Sequence, residues 1–372
     1  MNNQKINNDV QIVGFDYDRK LLKKFIDYGY TVYKDDKEFI APSYKQIEWE
    51  LSADNPFMDN GTVKKFIVTD NGNVCGRIAA MIDQKNNKGL VGFFEVENSY
   101  LYAEKLLDAA LEYIVSKDIN TITGPVNFST WNKYRFVSAG SSEKTFMMEP
   151  YNHIYYNEFF VRYGFHEIKR YYSNIINDID VEMSKIERFK GRAERNGYYI
   201  RKIDVKRLDE ELDLLYRLTV EIFKENYSYT DIDKLSFTKS YSGLRGIIKP
   251  DYLLFLYNNK DIPCGFIFTM PDYSEAIRSM KAKGGFIEKL FFLKNKKKAD
   301  RFIMKTLGVT QQARGSGGGS LLMYSAYRLI KESGYKNSIH ALMISDNGSR
   351  KYGMGTTDII REYSLYEYTI GK

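Results

Sequence analysis

The sequence is poor in residues that staple a fold or hold a metal. Among 372 residues there are two cysteines, Cys75 and Cys264, and three histidines. Two cysteines so far apart make neither a disulfide framework nor a zinc site, so no metal is expected, and a reducing, cytoplasmic compartment is the simple reading. Long apolar runs are absent too. None approaches the roughly 18 residues of a membrane span, and the start, Met1-Asn2-Asn3-Gln4-Lys5, is polar with no apolar signal core behind it. A soluble chain with no membrane association is expected. Strong charge of one sign is also missing. Lys and Arg number 55 against 48 acidic residues, a net +7, which mildly favours anionic partners but argues against nucleic acid. The basic run Lys294-Asn295-Lys296-Lys297-Lys298 reads as a solvated hairpin loop, or more sharply as a contact to a phosphate-bearing ligand.

What is present fits a globular chain of two domains. Hydrophobic residues make up 43% and charged residues 28%, enough for a core without staples. The 31 Tyr and 23 Phe can fill a core or line a pocket. An internal repeat organises the chain. Residues 66–82 and 254–270 each read as a strand, an Asn/Asp-rich turn and a second strand opening on Cys-Gly, at 75–76 and 264–265. The cysteines thus share one strand position and read as small core residues. After each hairpin comes an apolar strand, Val91–Phe94 or Phe302–Val309. A helix follows, with Leu106-Leu107, Ala109-Ala110 and Ile114 in the first copy and Leu321-Leu322, Ser325-Ala326 and Leu329-Ile330 in the second. Strands at Thr121–Thr123 and Ser338–Leu342 come next; His340 in the latter reads as a core or edge residue. With lead-in helices near Lys20–Tyr28 and Leu208–Glu225 and closing strands near Glu167–Ile175 and Tyr363–Tyr368, each half is an α+β unit around a mixed, mostly antiparallel sheet flanked by helices. The boundary is expected in Asn177–Glu187, giving domains 1–180 and 181–372.

One loop carries chemistry. The strand ending at Gly308-Val309 runs into Gln311-Gln312-Ala313-Arg314-Gly315-Ser316-Gly317-Gly318-Gly319, and a helix is expected from Ser320. Glycines let the main chain take positive φ and let a ligand approach it closely. Successive N–H groups at a helix N-terminus form an anion site, and Arg314 adds a positive fork. The loop is a pyrophosphate cradle by type. No Lys follows the glycines as a P-loop requires, and the strand does not open a parallel βαβ unit as a dinucleotide fingerprint does.

The loop resembles the acyl-CoA motif of the GCN5-related N-acetyltransferases (GNAT), Val-x-Pro-x-x-Arg-Gly-x-Gly-x-Gly, here Val309 to Gly319 with Gln311 where Pro is common. The short signature Gln/Arg-x-x-Gly-x-Gly matches at Arg314/Gly317/Gly319 and again at Gln312/Gly315/Gly317. Asp346-Asn347 follows the next strand, where the family places an Asn that bonds the pantetheine arm. Over most of its length the chain is similar to a bacterial family of tandem GNAT proteins. The matching pieces include Asn55-Pro56-Phe57, Gly76-Arg77-Ile78, Gly92-Phe93-Phe94-Glu95, Gly124-Pro125, Tyr151-Asn152, Gly164-Phe165 and the tail Tyr363-Ser364-Leu365-Tyr366. The resemblance implies two tandem GNAT-like domains. It further implies acyl-CoA, with acetyl-CoA the usual case, held by Gly308, Val309, Gln312, Arg314, Gly315, Ser316, Gly317, Gly318, Gly319, Ser320 and Asn347.

At the corresponding place the first half has Glu95-Val96-Glu97-Asn98-Ser99-Tyr100, with no glycine and two carboxylates that would repel a pyrophosphate. Asn98 or Ser99 is expected to cap the following helix, so the first half is not expected to bind CoA. The loop from Gly124 to Asn132, with Trp131, reads either as an acceptor-pocket wall or as a packed loop, and Tyr151–Tyr156 as a helix start with an aromatic cluster. The implied reaction is direct attack of a small-molecule amine or amino acid on the thioester. Backbone N–H groups near Gly308-Val309 would polarise the carbonyl, and Tyr352 would protonate the leaving thiolate. No base is named, although Glu288 falls on an expected strand near the site. Two other functions stay open: transfer from an aminoacyl-tRNA, and a non-catalytic CoA-binding sensor. Gly317→Glu is expected to abolish CoA binding while leaving the fold.

Overall fold

The computed structural model describes residues 9–371 apart from 141–142, 225–231, 243–247, 279, 281–285 and 346–356. The first half runs β1 (Gln11–Phe15), α1 (Arg19–Thr31), α2 (Tyr44–Glu50), β2 (Gly61–Asp70), β3 (Asn73–Asp83), β4 (Lys88–Val96), α3 (Tyr100–Val115), β5 (Thr121–Gly124), β6 (Phe136–Gly140), α4 (Tyr155–Tyr163) and β7 (His166–Ile176). The second runs α5 (Ile179–Arg195), β8 (Tyr199–Lys202), α6 (Leu208–Phe223), α7 (Lys234–Ser242), β9 (Leu253–Tyr257), β10 (Pro263–Pro271), α8 (Ser274–Arg278), α9 (Phe286–Asn295), β11 (Arg301–Val309), α10 (Gly318–Glu332), β12 (Asn337–Ile344) and β13 (Thr357–Thr369).

Local chemistry explains these boundaries. Asp18 caps α1 by accepting the Lys20 and Leu21 N–H groups at 2.8 Å. The β2–β3 turn is Asn71-Gly72 with φ of +49° and +78°, the two-residue turn whose twist matches flanking strands. In the second hairpin Asn258 Oδ1 accepts from Lys260 N at 2.9 Å and Ile262 N at 3.1 Å, an Asx turn. The two hairpins repeat in register: Gly76 pairs with Val96 and Gly265 with Val309. Glu97 N–H reaches Cys75 O at 3.0 Å, as Thr310 N–H reaches Cys264 O at 2.9 Å. Both cysteines are buried and free. His340 on β12 is buried and stacks on Tyr327, with its Nε2 3.2 Å from the Tyr327 hydroxyl.

The described strands form one sheet in the order β1-β2-β3-β4-β5-β13-β7-β12-β11-β10-β9-β8, with β6 paired to β13. The two closing strands stand where the sequence puts them, but they are exchanged. β13, from the end of the chain, lies against β5 of the first half, and β7, from the first half, lies against β12 of the second. β7 and β13 pair antiparallel with each other along their length. The stretch read as a boundary, 177–187, carries the start of α5, capped by Asp178, which accepts from Val181 N at 3.0 Å. Residues 286–295, where a strand with Glu288 was expected, are helix α9, and the basic run 294–298 ends that helix and makes a 3₁₀ turn.

The seam is polar and bonded. Segment 143–147 of the first half is clamped by second-half side chains. Arg278 donates to Thr145 O at 2.6 Å, Arg301 to Lys144 O at 3.0 Å, Arg361 to Glu143 O, and Asp272 accepts from Met147 N at 3.0 Å. Beneath it Glu149, its side chain 1% exposed, takes the Tyr363 hydroxyl at 2.7 Å and faces Arg361 Nε at 3.3 Å. Burial pushes its carboxyl up to about 7, against the opposing pull of Arg361 and Tyr363.

Tyr363→Phe removes bonds to Glu149 and to Ser173 Oγ, 2.9 Å away, and leaves a buried carboxyl short of a donor. A loss of about 2 kcal/mol in urea unfolding is expected. The raised Glu149 pKa also carries a sign. The folded chain binds this proton more tightly than the unfolded one, so the stabilisation is complete below about 4.5 and lost as pH rises to about 7. His340, pushed down to about 4 by burial, acts oppositely over an overlapping range. The difference between wild type and Glu149→Gln in unfolding free energy, measured from pH 4.5 to 7, therefore isolates the Glu149 slope; parallel curves would contradict it.

Candidate functional site

Strand β11 is pinned on one side by β10 and on the other, only at its start, by β12. The parallel register runs from Arg301↔Asn337 to Met304↔His340. Beyond it β12 follows β7, with Met343 opposite Tyr172 and Ile344 opposite Tyr171, while β11 continues to Val309. The two strands part after Met304, and Lys305 stands at the parting, where the β10–β11 register also slips.

The chain then makes a 3₁₀ turn at Gln311–Ala313, an extended step at Arg314, and left-handed glycines at Gly315 (φ +76°) and Gly317 (φ +95°) before α10. The helix starts at Gly318, two residues before Ser320. Its first turn, Gly318-Gly319-Ser320, carries the N–H groups that lack intrahelical acceptors. The Ser316 hydroxyl takes one of these, Gly318 N, at 3.1 Å, and donates to Ala313 O at 2.7 Å. In front of the loop is a hollow of about 160 Å³ lined by Glu221, Lys224, Gln311, Gln312 and Arg314. The lining has two cations to one carboxylate. A wider depression of about 550 Å³, lined by residues 31–32 and 34–38 and by His153, lies in the first half and shares no residue with the loop.

The glycines differ in what they do. Gly315 faces open space. A Cβ at Gly317 would come 2.3 Å from the Phe189 carbonyl of α5, so this glycine lets two helices meet, and a substitution there disturbs the fold as well as any ligand. The expectation that Gly317→Glu would spare the fold is corrected on that ground. Gly318 faces Leu256 Cδ2 at 2.5 Å and Gly308 faces Ile222 Cγ2 at 2.8 Å, so both make room for packing. Ser320 is buried, and Gly319 and Val309 are half-buried. Asn347 and Tyr352 lie outside the described residues.

Sequence reasoning missed the group that holds the loop. Arg192 of α5 donates from Nη2 to Gly315 O at 2.7 Å, and the Lys190 ammonium lies 5.0 Å from the Tyr324 ring of α10. The available signal was Asp178 as a cap, followed by Ile179, Met183 and Ile186 at helical spacing.

In the first half the corresponding gap is filled. After Gly124 the chain folds back over β4: Val126 N–H reaches Val91 O at 2.8 Å, and Asn127 Oδ1 accepts the Phe93 N–H at 2.8 Å. Phe93 has φ +50°, at the slip in the β3–β4 register. Helix α3 begins at Tyr100, directly after Asn98 and Ser99, whereas α10 waits until Gly318. Ser99 occupies the N-cap position, but its side chain makes no capping bond. Of the two carboxylates expected to face a pyrophosphate, Glu95 points elsewhere. It is bonded by the hydroxyls of Tyr33 and Tyr156, and sits 3.7 Å from Arg77; burial pushes its carboxyl up. Trp131 is partly buried and meets the second-half residue Phe237 edge-on at 6.2 Å. His153 stacks on Tyr33 and Tyr155 in an aromatic cluster before α4.

No protein-family model matches the chain. It is 23% identical over 265 residues to Protein YghO of Escherichia coli (strain K12), covering 70% of this chain and 68% of that one. It is 22% identical over 271 residues to a bacterial ceramide synthase of Caulobacter vibrioides (strain NA1000 / CB15N), covering 70% of each. Among solved structures, a tandem GNAT protein from the clavulanic acid biosynthesis pathway aligns over 98% of this chain and 99% of its own, with a TM-score of 0.56 and 12% identity. A GCN5-related glucosamine N-acetyltransferase region of a fungal multi-domain GH3 β-N-acetylglucosaminidase aligns over 96% of this chain, with a TM-score of 0.56 and 15% identity; this chain spans 38% of that longer one. A GCN5-related N-acetyltransferase from Sphaerobacter thermophilus aligns over 96% of both chains, with a TM-score of 0.50 and 11% identity. The chain has the fold of tandem GCN5-related N-acetyltransferases.

Proposed function

We propose that the chain is an acyl-CoA-dependent N-acyltransferase with a single CoA site, in its second half. The observation that carries this is the loop 311–320. Two left-handed glycines and a helix start lie behind a hollow bearing Arg314 and Lys224, the physical type of a pyrophosphate cradle. The division into 1–180 and 181–372 follows the repeat, with the first half as scaffold and acceptor wall and the second as the acyl-CoA domain. The pantetheine arm enters where β11 and β12 part, with Asn347 as a bonding partner. The acceptor amine attacks the thioester carbonyl, β11 N–H groups near Gly308-Val309 hold the developing oxyanion, the amine nitrogen gives up its proton to water, and the C–S bond breaks. Tyr352 protonates the thiolate. Acetyl is the simplest acyl group. A cytoplasmic place agrees with two buried, free thiols; no described helix is long and apolar enough to cross a membrane.

Two substitutions test the site. Gly315 faces open space, so Gly315→Asp adds a carboxylate to the loop without a clash, at the strain of about 1 kcal/mol that a side chain at φ +76° carries. CoA affinity, read by calorimetry, is expected to fall about a hundredfold with the melting temperature lowered by only a few degrees, and wild type to bind one CoA per chain. Undiminished affinity would refute the site. Gly317→Ala, in contrast, is expected to lower stability by about 1–3 kcal/mol in urea unfolding, because the chain must move away from the Phe189 carbonyl.

A further inference from the structure

Among the described residues of the seam, Arg135 is a buried cation with hydrogen bonds left unmade. It is 8% exposed and sits at φ +67°. Its guanidinium carbon lies 3.8 Å from the Tyr134 ring and 4.0 Å from the Tyr171 ring. Its buried Nε and Nη1 have no hydrogen-bond partner. Buried donors on a charged group are costly to leave unmade, and stacking on two rings answers the charge but not the N–H groups.

A second cation points at the same place. Lys305, at the parting of β11 and β12, is half-buried, and its Nζ donates to Met148 O at 3.4 Å, a long bond. Burial, with the Arg135 charge adding to it, pushes Lys305 down to about 7. The nearby carboxylate, Glu149, is already engaged by Tyr363, by the Phe146 N–H at 3.1 Å and by Arg361. Arg361 and Arg301 in the same seam have carboxylate and carbonyl partners; Arg135 does not.

We propose that Arg135 and Lys305 together bind an acid group, a carboxylate or a phosphate, carried by the acceptor amine beside the point where the thioester enters. The class of acceptor is then an amino acid or an amino phosphate ester, not a simple amine. This deepens the acyltransferase reading and rests on it for the word acceptor, but the anion site itself can be tested without CoA.

Three amines of one skeleton serve as probes: ethanolamine, which has no acid group, L-serine, which adds a carboxylate, and O-phosphoethanolamine, which adds a phosphate. The readout is trace acetylation with acetic anhydride at pH 8, quantified at Lys305 by peptide mass spectrometry relative to exposed Lys20 in the same digest. Without ligand Lys305 should label ahead of Lys20, because most of it is unprotonated at that pH. An anion seated between it and Arg135 both covers the amine and restores its proton. One or both acidic amines are expected to slow Lys305 labelling about tenfold, ethanolamine to leave it unchanged, and Arg135→Gln to remove the protection. Which acid protects tells carboxylate from phosphate. Equal effects of all three amines, no effect of any, or protection that survives Arg135→Gln would overturn the site; if that variant does not fold, the wild-type comparison decides alone. Failure of the acyltransferase reading shows separately, as absence of CoA binding by calorimetry while the protection persists.

Discussion

The antiparallel pairing of 166–176 with 357–369 is the interaction on which the rest of this molecule depends. Each strand closes the sheet of the half it does not follow in sequence, so β13 seals the first half and β7 the second. Cutting the chain at its midpoint would leave both sheets with a long exposed edge, the situation that invites wrong pairing. The exchange removes both edges and makes one sheet. It also decides what the seam must hold. Tyr363 and Ser173 stand on these two strands, and the side chains around Glu149 are bonded to both. The segment 143–147 is then clamped by arginines from across the seam.

On this shared frame the halves diverge through few residues. At Glu97 and Thr310 the backbones make the same hydrogen bond, the N–H that reaches the cysteine carbonyl. Past that point the first half enters its helix at once, while the second makes the glycine turn. The strand gap diverges too. Asn127 answers the Phe93 N–H from within the first half, whereas in the second β12 stays with β7 and leaves β11. A half whose bulge N–H already has an internal acceptor has nothing to offer a thioester carbonyl there. On the proposed reading, one binding half and one supporting half differ in hydrogen-bond acceptors, not in fold.

How much of this was legible follows from range. The hairpins, α3, α10 and the glycine loop are written in local spacing, period 2 or 3.6 with turn residues between, and the sequence reading places them well. Strand exchange is not local: β7 and β13 sit at the ends of their halves whichever partner they choose, and nothing in their composition marks the choice. Helix α5, whose start lies in the expected boundary 177–187, was not read as a helix because its buried face is thin. Ile179, Ile186 and Ala193 are buried with Glu182, and the rest of the helix is mostly charged. That error hid Arg192 and the Phe189 carbonyl, and with them the reason Gly317 is glycine. Glu95 was assigned to a loop by adjacency, though its strand position turns it toward Tyr33 and Tyr156. The second tuning of the site, by Arg135 and Lys305, joins residues far apart in sequence and had no local pattern to betray it.

One strand connects the two candidate functions. At its far end β11 delivers Thr310 to the loop where a pyrophosphate would sit, and at its middle it releases β12 and exposes Lys305. A pantetheine arm spanning from the loop to the parting would follow the edge that β12 vacates, and its thioester would arrive beside the residues of the seam. The bulge matters here because an extra residue re-aims a side chain. Lys305 falls at the register slip of β10 and β11 and reaches toward Met148 of the other half. The exchange of β7 and β13 brings that other half within reach, since 136–140 pair with β13 and 143–147 are held by second-half side chains. The same constraint that closes both sheets therefore brings Arg135 of the first half and Lys305 of the second together beside the gap proposed for the thioester.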